Sequence, residues 1–128
     1  MKKNGFTLVE VLAVIVILGV ITAIAAPAVM GVIDRSKENM YNNQLEVFKD
    51  AAAMYVADNI NTNPSMKIDG YSTELDLSEM IDYGYIEGPV KNPLTGEYFE
   101  TSGCMEYYVR ITREANAIFT YQVVEGEC

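Results

Sequence analysis

The residues with the clearest chemical role stand near the N-terminus, where one acid interrupts an apolar run. Glu10 lies five residues after Gly5 and is the single charged residue in the stretch from Gly5 to Ile33. A carboxylate at the centre of a membrane helix costs of order 3 kcal/mol on insertion scales, and less near the interface. Glu10 lies about 6 Å along a helix from Phe6, so it would stay near the lipid headgroups. The sequence therefore raises the question of which partner this carboxylate meets.

No other group of residues is arranged for catalysis or metal binding. The chain has no histidine, and its two cysteines, Cys104 and Cys128, do not form a CxxC pair, so a zinc ligand set is missing. There is no GxSxG motif and no phosphate-binding loop. Acidic pairs such as Glu74 and Asp76 suit a solvated surface better than acid–base chemistry. We therefore expect a protein that is not an enzyme and that has no cofactor and no metal.

The chain is divided into an apolar part and an acidic part. Residues 11–33 form a run of 23 residues without a charge, whereas residues 34–128 carry 7 basic and 17 acidic side chains and a formal charge of −10. A surface of this sign repels nucleic acid and anionic lipid headgroups, so direct nucleic-acid binding is not expected. The acidic part has the size and composition of one small soluble domain.

The apolar run has the length of a membrane-spanning helix. At about 1.5 Å per residue, 23 helical residues extend roughly 35 Å, enough to cross a hydrocarbon core of about 30 Å. Lys2 and Lys3 precede the run, and positive charge on this side predicts that the N-terminus stays in the cytoplasm while the acidic part is exported. Gly19 is a weak helix former and Pro27 removes a helix hydrogen bond, so we expect the helix to be loosened between them.

The start of the run resembles the processing signature of type IV pilins and their pseudopilin relatives. The resemblance rests on the stretch GFTLVE, residues 5–10, in which glycine, phenylalanine, threonine and glutamate keep a fixed spacing before an apolar helix. It implies that residues 1–5 are a leader, that a prepilin peptidase cleaves between Gly5 and Phe6, and that the new amine of Phe6 is methylated. Pro27 matches a helix-breaking proline that is frequent in this family.

The resemblance also implies an assembly role for Glu10. If subunits pack side by side with an axial stagger, the carboxylate of one subunit meets the amine that cleavage creates at Phe6 of another. Such a pair removes two unmatched charges from an apolar bundle and selects one stagger. The expected product is a helical filament of this chain and other pilins.

The same resemblance implies where the protein works and what drives its assembly. The precursor would be a single-pass protein in the lipid of the cytoplasmic membrane, with its head outside, and the filament would then be extracellular or periplasmic. A cytoplasmic ATPase and a membrane platform protein would supply the work of extraction. Adhesion, motility, secretion and DNA uptake all remain open as the purpose of such a filament.

A second stretch, residues 77–98, also looks pilin-like. It reads as a short helix, a Gly-Tyr-Ile exit and proline turns that lead into a sheet. Some pseudopilins have an acidic calcium-binding loop in this region. The chain has Lys91, Asn92 and Pro93 there instead, so we expect no metal in the loop.

Hydrophobic periodicity predicts an α+β fold in which a long N-terminal helix packs on a small C-terminal antiparallel sheet. The helix is expected from Phe6 to about Asn59, with an apolar first half and an amphipathic second half. Apolar residues at alternating steps of four and three form the core face of that second half: Tyr41, Leu45, Phe48, Ala52 and Tyr55. The expected organisation is a leader at residues 1–5, a transmembrane and filament-core helix at residues 6–33, and a soluble head at residues 34–128.

The rest of the head is predicted to contain one short helix and a hairpin. We expect a loop at residues 60–75 and a helix at residues 77–83, opened by a capping box of Asp76 with Glu79 and ended by Gly84. The tyrosine-, valine- and isoleucine-rich segments then predict the strands of the sheet. These are strands at residues 105–112 and 117–124, a turn at residues 113–116 and an added edge strand at residues 97–101.

Cys104 and Cys128 are expected to form one disulfide, because an exported head meets an oxidising environment. Turning the hairpin about residue 114 or 115 brings Cys104 near Glu125, so a bridge to Cys128 needs the tail to curl back. A disulfide that closes this loop would contribute about 3.5 kcal/mol. Two free thiols in a cytosolic protein are the alternative.

Two other classes of protein share some of these features. A secreted binding module with an ordinary signal peptide could be cut near Ala25, where small residues follow an apolar core. Against it, the apolar run is long, contains Glu10 and continues past Pro27. A membrane-anchored protein that never polymerises is the other alternative. No motif separates a major pilin from a minor pilin or a pseudopilin.

Overall fold

The computed structural model describes residues 5–99 and 107–126 of the chain. The chain divides into two units, Met1–Lys37 and Glu38–Cys128. In chain order, the elements are helix α1 (Leu8–Asn59), a 3-10 turn (Pro64–Lys67), strand β1 (Ser72–Asp76), helix α2 (Leu77–Asp82), strand β2 (Tyr107–Arg113) and strand β3 (Phe119–Glu125). The predicted α+β fold, with a long N-terminal helix and a small antiparallel sheet, is confirmed.

Within the first unit, α1 is helical through both Gly19 and Pro27. The hydroxyl of Thr22 donates to the carbonyl oxygen of Leu18 at 2.6 Å. Such back-bonding to the previous turn competes with the backbone ladder and often bends a helix. The apolar side chains of α1 that belong to this first unit are exposed. In the part of the chain that the structure describes, α1 is the one helix long and apolar enough to cross a membrane.

In the second unit, α1 contributes the predicted apolar face to the core. Phe48 and Ala52 are fully buried, and Tyr41, Leu45 and Tyr55 pack partly buried against the same cluster. Every second residue of β2 faces this core, which is the period expected of a half-buried strand. These residues are Tyr107, Val109 and Ile111.

The sheet contains one strand, β1, that was not predicted from the sequence. The strands lie in the order β1-β2-β3, each antiparallel to its neighbour, and Leu75 pairs with Val109, which pairs with Val123. The expected loop at residues 60–75 is therefore wrong for residues 72–75. In β1 only Leu75 is buried, so the apolar alternation that signals a strand is absent. Pairing with β2, including a 3.1 Å salt bridge from Arg110 to Glu74, sets the conformation instead.

The β2–β3 hairpin turns one to two residues later than expected. Arg113 pairs with Phe119, which centres the register on residue 116 rather than on 114 or 115. The backbone N–H of Glu114 donates to the Ile118 carbonyl oxygen at 2.8 Å, and Ala117 has a left-handed φ of 62°. Glycine and asparagine are the usual residues in this conformation, so an alanine there gave no signal in the sequence.

Helix α2 begins at Leu77 as predicted and ends at Asp82, one residue before the predicted end. The backbone N–H of Asp76 donates to Oε2 of Glu79 at 3.3 Å, one half of the expected capping box. Gly84 has a φ of +83°, and its N–H donates to the Ile81 carbonyl oxygen at 3.0 Å. The sharp exit of the chain from α2 therefore depends on a conformation that glycine adopts readily.

The described part of the expected edge strand, residues 97–99, is not a strand. Tyr98 makes one isolated antiparallel bridge with Lys91. Between them, the side-chain oxygen of the buried Asn92 accepts the N–H of Leu94 at 2.9 Å, which closes a local turn. Residues 100–106, 127 and 128 lie outside the described residues, and with them the beginning of the first predicted hairpin strand and both cysteines.

Candidate processing and assembly site

The predicted cleavage site lies directly before α1. Gly5, Phe6 and Thr7 precede the first helical residue, Leu8, and all three are exposed. Phe6 has 89% of its surface exposed. A peptide bond can enter a peptidase only as accessible, non-helical chain, and residues 5 and 6 meet both conditions.

Thr7 and Glu10 form a reciprocal pair of hydrogen bonds at the first turn of α1. The backbone N–H of Thr7 donates to Oε2 of Glu10 at 3.0 Å, and the backbone N–H of Glu10 donates to Oγ1 of Thr7 at 3.2 Å. This is a capping box, which satisfies two donors that a helix N-terminus otherwise leaves without partners. From the sequence, Thr7 was recognised only as part of the GFTLVE stretch and not as a helix cap, although the spacing threonine-x-x-glutamate is the sequence signature of a capping box.

The capping box uses only part of the Glu10 carboxylate. Oε2 accepts the Thr7 N–H, whereas among the described residues Oε1 accepts no hydrogen bond and Glu10 forms no salt bridge. Glu10 and Phe6 both contribute to the lining of one shallow surface depression, which is almost wholly apolar. The charge of Glu10 is also favourable at a helix N-terminus, where the backbone dipoles present their positive end. Glu10 is thus held by Thr7 at the first turn of α1, and among the described residues it has no salt-bridge partner.

The other predicted site residues are placed as follows. Gly19 and Pro27 lie inside the continuous helix α1. Cys104 and Cys128 lie outside the described residues, as do Lys2 and Lys3.

The loop that contains Lys91, Asn92 and Pro93, for which no metal was expected, is closed by a hydrogen bond to one of its own side chains. Asn92 is 6% exposed, and its side-chain oxygen accepts a hydrogen bond from the backbone N–H of Leu94. Lys91 is exposed. Within residues 5–99 and 107–126, no three acidic, histidine or cysteine side chains are grouped to hold a metal ion.

Comparison with known families identifies the N-terminal segment. The family described as the prokaryotic N-terminal methylation motif matches residues 1–26. This range includes the exposed Gly5–Phe6 bond, the capping box of Thr7 with Glu10, and most of the apolar run. The chain therefore carries the prepilin-type N-terminal methylation motif.

The curated relatives to which the chain is similar share one name. The chain is similar to type II secretion system core protein G, a pseudopilin. It is 36% identical to the Pseudomonas aeruginosa protein over 58 residues, which are 45% of this chain and 41% of the relative. The Vibrio cholerae protein is 28% identical over 101 residues, 76% of this chain and 69% of the relative. The Escherichia coli protein is 34% identical over 58 residues, 45% of this chain and 40% of the relative.

These matches confirm the predicted resemblance to type IV pilins and pseudopilins. The alignments with the Pseudomonas and Escherichia proteins span about two fifths of those relatives, and the Vibrio alignment spans 69% of that relative. No solved structure matches the chain significantly.

Proposed function

We propose that this chain is a structural subunit of a type IV pilus or pseudopilus. The observation that carries the proposal is the N-terminal segment that matches the methylation motif, in which the Gly5–Phe6 bond is exposed and lies directly before an exposed apolar helix. Similarity to type II secretion system core protein G supports the pseudopilus in particular. A secreted module with an ordinary signal peptide is not favoured, because it accounts for neither the motif nor the capped Glu10.

The proposed life cycle begins with a precursor in the cytoplasmic membrane, its head outside. A prepilin peptidase removes residues 1–5 and methylates the amine of Phe6. Residues 6–33 then leave the lipid for the core of a helical filament at the cell surface or in the periplasm, while residues 34–128 form the outer head. Lipid contacts are exchanged for helix contacts, so the work comes from an ATPase that acts through a membrane platform protein. The subunit itself is structural rather than enzymatic.

In this proposal Glu10 has two partners at once. Within its own subunit, Oε2 accepts the Thr7 N–H and closes the capping box. Oε1 is left to accept the Phe6 amine of a neighbouring subunit. The capping box restricts the side-chain rotamers, so the carboxylate is held in place before the amine arrives. Only one axial stagger satisfies both charges, and the pairing thereby selects the register of the filament.

The stretch between Gly19 and Pro27 is proposed to loosen when the helix enters the filament. Pro27 removes one backbone donor, and the Thr22 hydroxyl already competes for the Leu18 carbonyl. A helix weakened at these positions extends at lower cost than one with a complete hydrogen-bond ladder.

The register of the hairpin supports the proposed disulfide. Tyr107 pairs with Glu125 at the end of the β2–β3 ladder. Cys104 stands three residues before Tyr107, and Cys128 stands three residues after Glu125. The two cysteines are therefore equally offset in sequence from one antiparallel pair. We propose that they form one bridge in the exported head.

The mature N-terminus tests the proposed function directly. Mass spectrometry of the chain from its host is expected to find N-methyl-Phe6 as the first residue, and a Gly5→Val variant should keep its leader. A first residue near Ala26 would overturn the proposal in favour of a secreted module, and an intact Met1 would favour an anchored protein that never polymerises.

The disulfide has its own test. Alkylation without prior reduction should add no label to the exported head, and reduction before alkylation should add two. Two labels without reduction would contradict the bridge.

A further inference from the structure

Three tyrosines of the second unit form a ring cluster that the proposed function does not use. Tyr55 belongs to α1, and Tyr83 and Tyr85 follow α2. The ring centroid of Tyr55 lies 6.1 Å from the ring centroid of Tyr83 and 6.1 Å from that of Tyr85, and the centroids of Tyr83 and Tyr85 lie 6.5 Å apart. Tyr83 stacks on Tyr55 with an interplanar angle of 21°, yet it is 61% exposed. The stack therefore leaves more than half of the Tyr83 surface open to solvent.

A carboxylate is attached to this cluster. Asp58 is exposed on α1, one turn after Tyr55, and its Oδ2 accepts the Tyr85 hydroxyl at 2.8 Å. This hydrogen bond is the main reason that the pKa of Tyr85 is raised, because it stabilises the protonated hydroxyl. In the part of the chain that the structure describes, no lysine or arginine forms a salt bridge with Asp58 or stacks on these three rings.

The same chain shows what such a combination of ring and carboxylate holds. The guanidinium of Arg110 lies 5.9 Å from the Tyr108 ring centroid and 3.1 Å from Oε1 of Glu74. A second guanidinium, that of Arg113, lies 5.5 Å from the Phe119 ring centroid and 3.3 Å from an Asp69 oxygen. In both places one cation combines an aromatic face with one carboxylate. The negative face of the ring quadrupole and the anion attract the same positive charge.

We propose that Tyr83, Tyr55, Tyr85 and Asp58 form a binding site for a cationic side chain, arginine or lysine, presented by a partner polypeptide. The open surface of Tyr83 provides the aromatic contact. Oδ2 of Asp58 accepts the Tyr85 hydroxyl, and among the described residues Oδ1 accepts no hydrogen bond and can pair with the cation. The surrounding head, with a formal charge of −10 over residues 34–128, attracts basic partners and repels acidic ones. Because the aromatic rings and the Asp58 carboxylate both attract positive charge, the site should bind a cation more tightly than a neutral group of the same shape.

The site can be tested on the full-length chain in a nonionic maltoside detergent. Detergents with a choline headgroup are unsuitable, because a quaternary ammonium would compete for the rings. The probe is N-acetyl-arginine amide, and its matched control is N-acetyl-citrulline amide, which has the same shape without the charge. The chain is labelled at its tyrosine rings, and the change in the NMR chemical shift of the Tyr83 ring is measured as each probe is added. Per unit of probe concentration, this change should be at least about two-fold larger with the arginine probe than with the citrulline control. Equal shifts with both probes, or equal arginine shifts at Tyr83 and the exposed Tyr98, would overturn the proposal.

Matched variants separate the site from the general charge of the head. Asp58→Asn keeps an oxygen for Tyr85 but removes the charge, whereas Asp50→Asn removes the same charge from another exposed position on α1. The arginine-induced shift at Tyr83 should decrease roughly two- to five-fold in D58N and remain near the wild-type value in D50N. Equal decreases in the two variants would show non-specific attraction and refute the site. The test requires no filament, so it is independent of the proposed assembly.

Discussion

Replacing Glu10 by glutamine separates the capping role that the structure shows for this residue from the charge-pairing role that we propose for it. Glutamine retains a side-chain oxygen that accepts the Thr7 N–H, which Glu10 does at 3.0 Å, and glutamine is also found in capping boxes. It lacks the charge that would pair with the Phe6 amine of another subunit. Glu10→Ala removes both functions. Thr7→Val removes the hydroxyl that accepts the Glu10 N–H at 3.2 Å but retains the carboxylate.

The expected magnitudes of these effects differ. Loss of a capping interaction costs about 0.5–2 kcal/mol, so Thr7→Val should weaken incorporation into filaments by a factor of roughly 2 to 30. Removing one partner of a buried ion pair costs about 3–5 kcal/mol, because the other charge stays buried without a partner. Glu10→Gln should therefore reduce incorporation by roughly two to nearly four orders of magnitude, at 1.4 kcal/mol per factor of ten. Glu10→Ala should be at least as defective.

The assay is quantitative immunoblotting of sheared filaments against the membrane fraction, in a strain that expresses each variant at equal level. Mass spectrometry of Phe6 controls for leader cleavage, so that a processing defect is not read as an assembly defect. Normal incorporation of Glu10→Gln would refute the charge-pairing argument and leave the capping box as the whole role of the residue. A Thr7→Val defect as severe as that of Glu10→Gln would refute the ranking of the two effects.

Three further predictions concern the stability of the head, measured by chemical denaturation of the full chain in detergent. Phe99→Ala should cost about 3–5 kcal/mol, because Phe99 is 1% exposed and its ring centroid lies 4.7 Å from that of Tyr107 and 5.1 Å from that of Phe48. The control Tyr98→Ala changes a residue that is 51% exposed and should cost at most about 0.5 kcal/mol. Equal costs for the two variants would contradict the placement of Phe99 in the core. Burial raises the pKa of Tyr107 above 10.0, so the folded chain keeps a proton that the unfolded chain releases. The contribution of Tyr107 to stability should thus be constant with pH up to about 10 and decrease above it, by at most about 1.4 kcal/mol per pH unit; an unchanged slope of stability against pH in Tyr107→Phe would contradict this. Gly84→Ala should cost about 1 kcal/mol, because φ there is +83°, and an unchanged unfolding midpoint would argue against that turn.

The hydrophobic pattern of the sequence was sufficient to predict the parts of the fold that depend on local periodicity. The helix to Asn59, the core face that includes Phe48 and Ala52, and the start and end of α2 are all present. Each arises from interactions between residues at most four positions apart, whose geometry is the same in any helix. The capping box of Thr7 with Glu10 belongs to this group as well, and it was legible in the sequence although it was not recognised.

Tertiary structure alone decided the features that join distant segments. Strand β1 has one buried apolar residue, Leu75, and its extended conformation is due to pairing with β2. The hairpin register depends on a left-handed Ala117, which the flanking strands impose against the intrinsic preference of alanine. The contact of Tyr55 with Tyr83 joins residues 28 positions apart. Such contacts depend on how the elements pack, and packing energy between distant segments is not encoded in any local pattern.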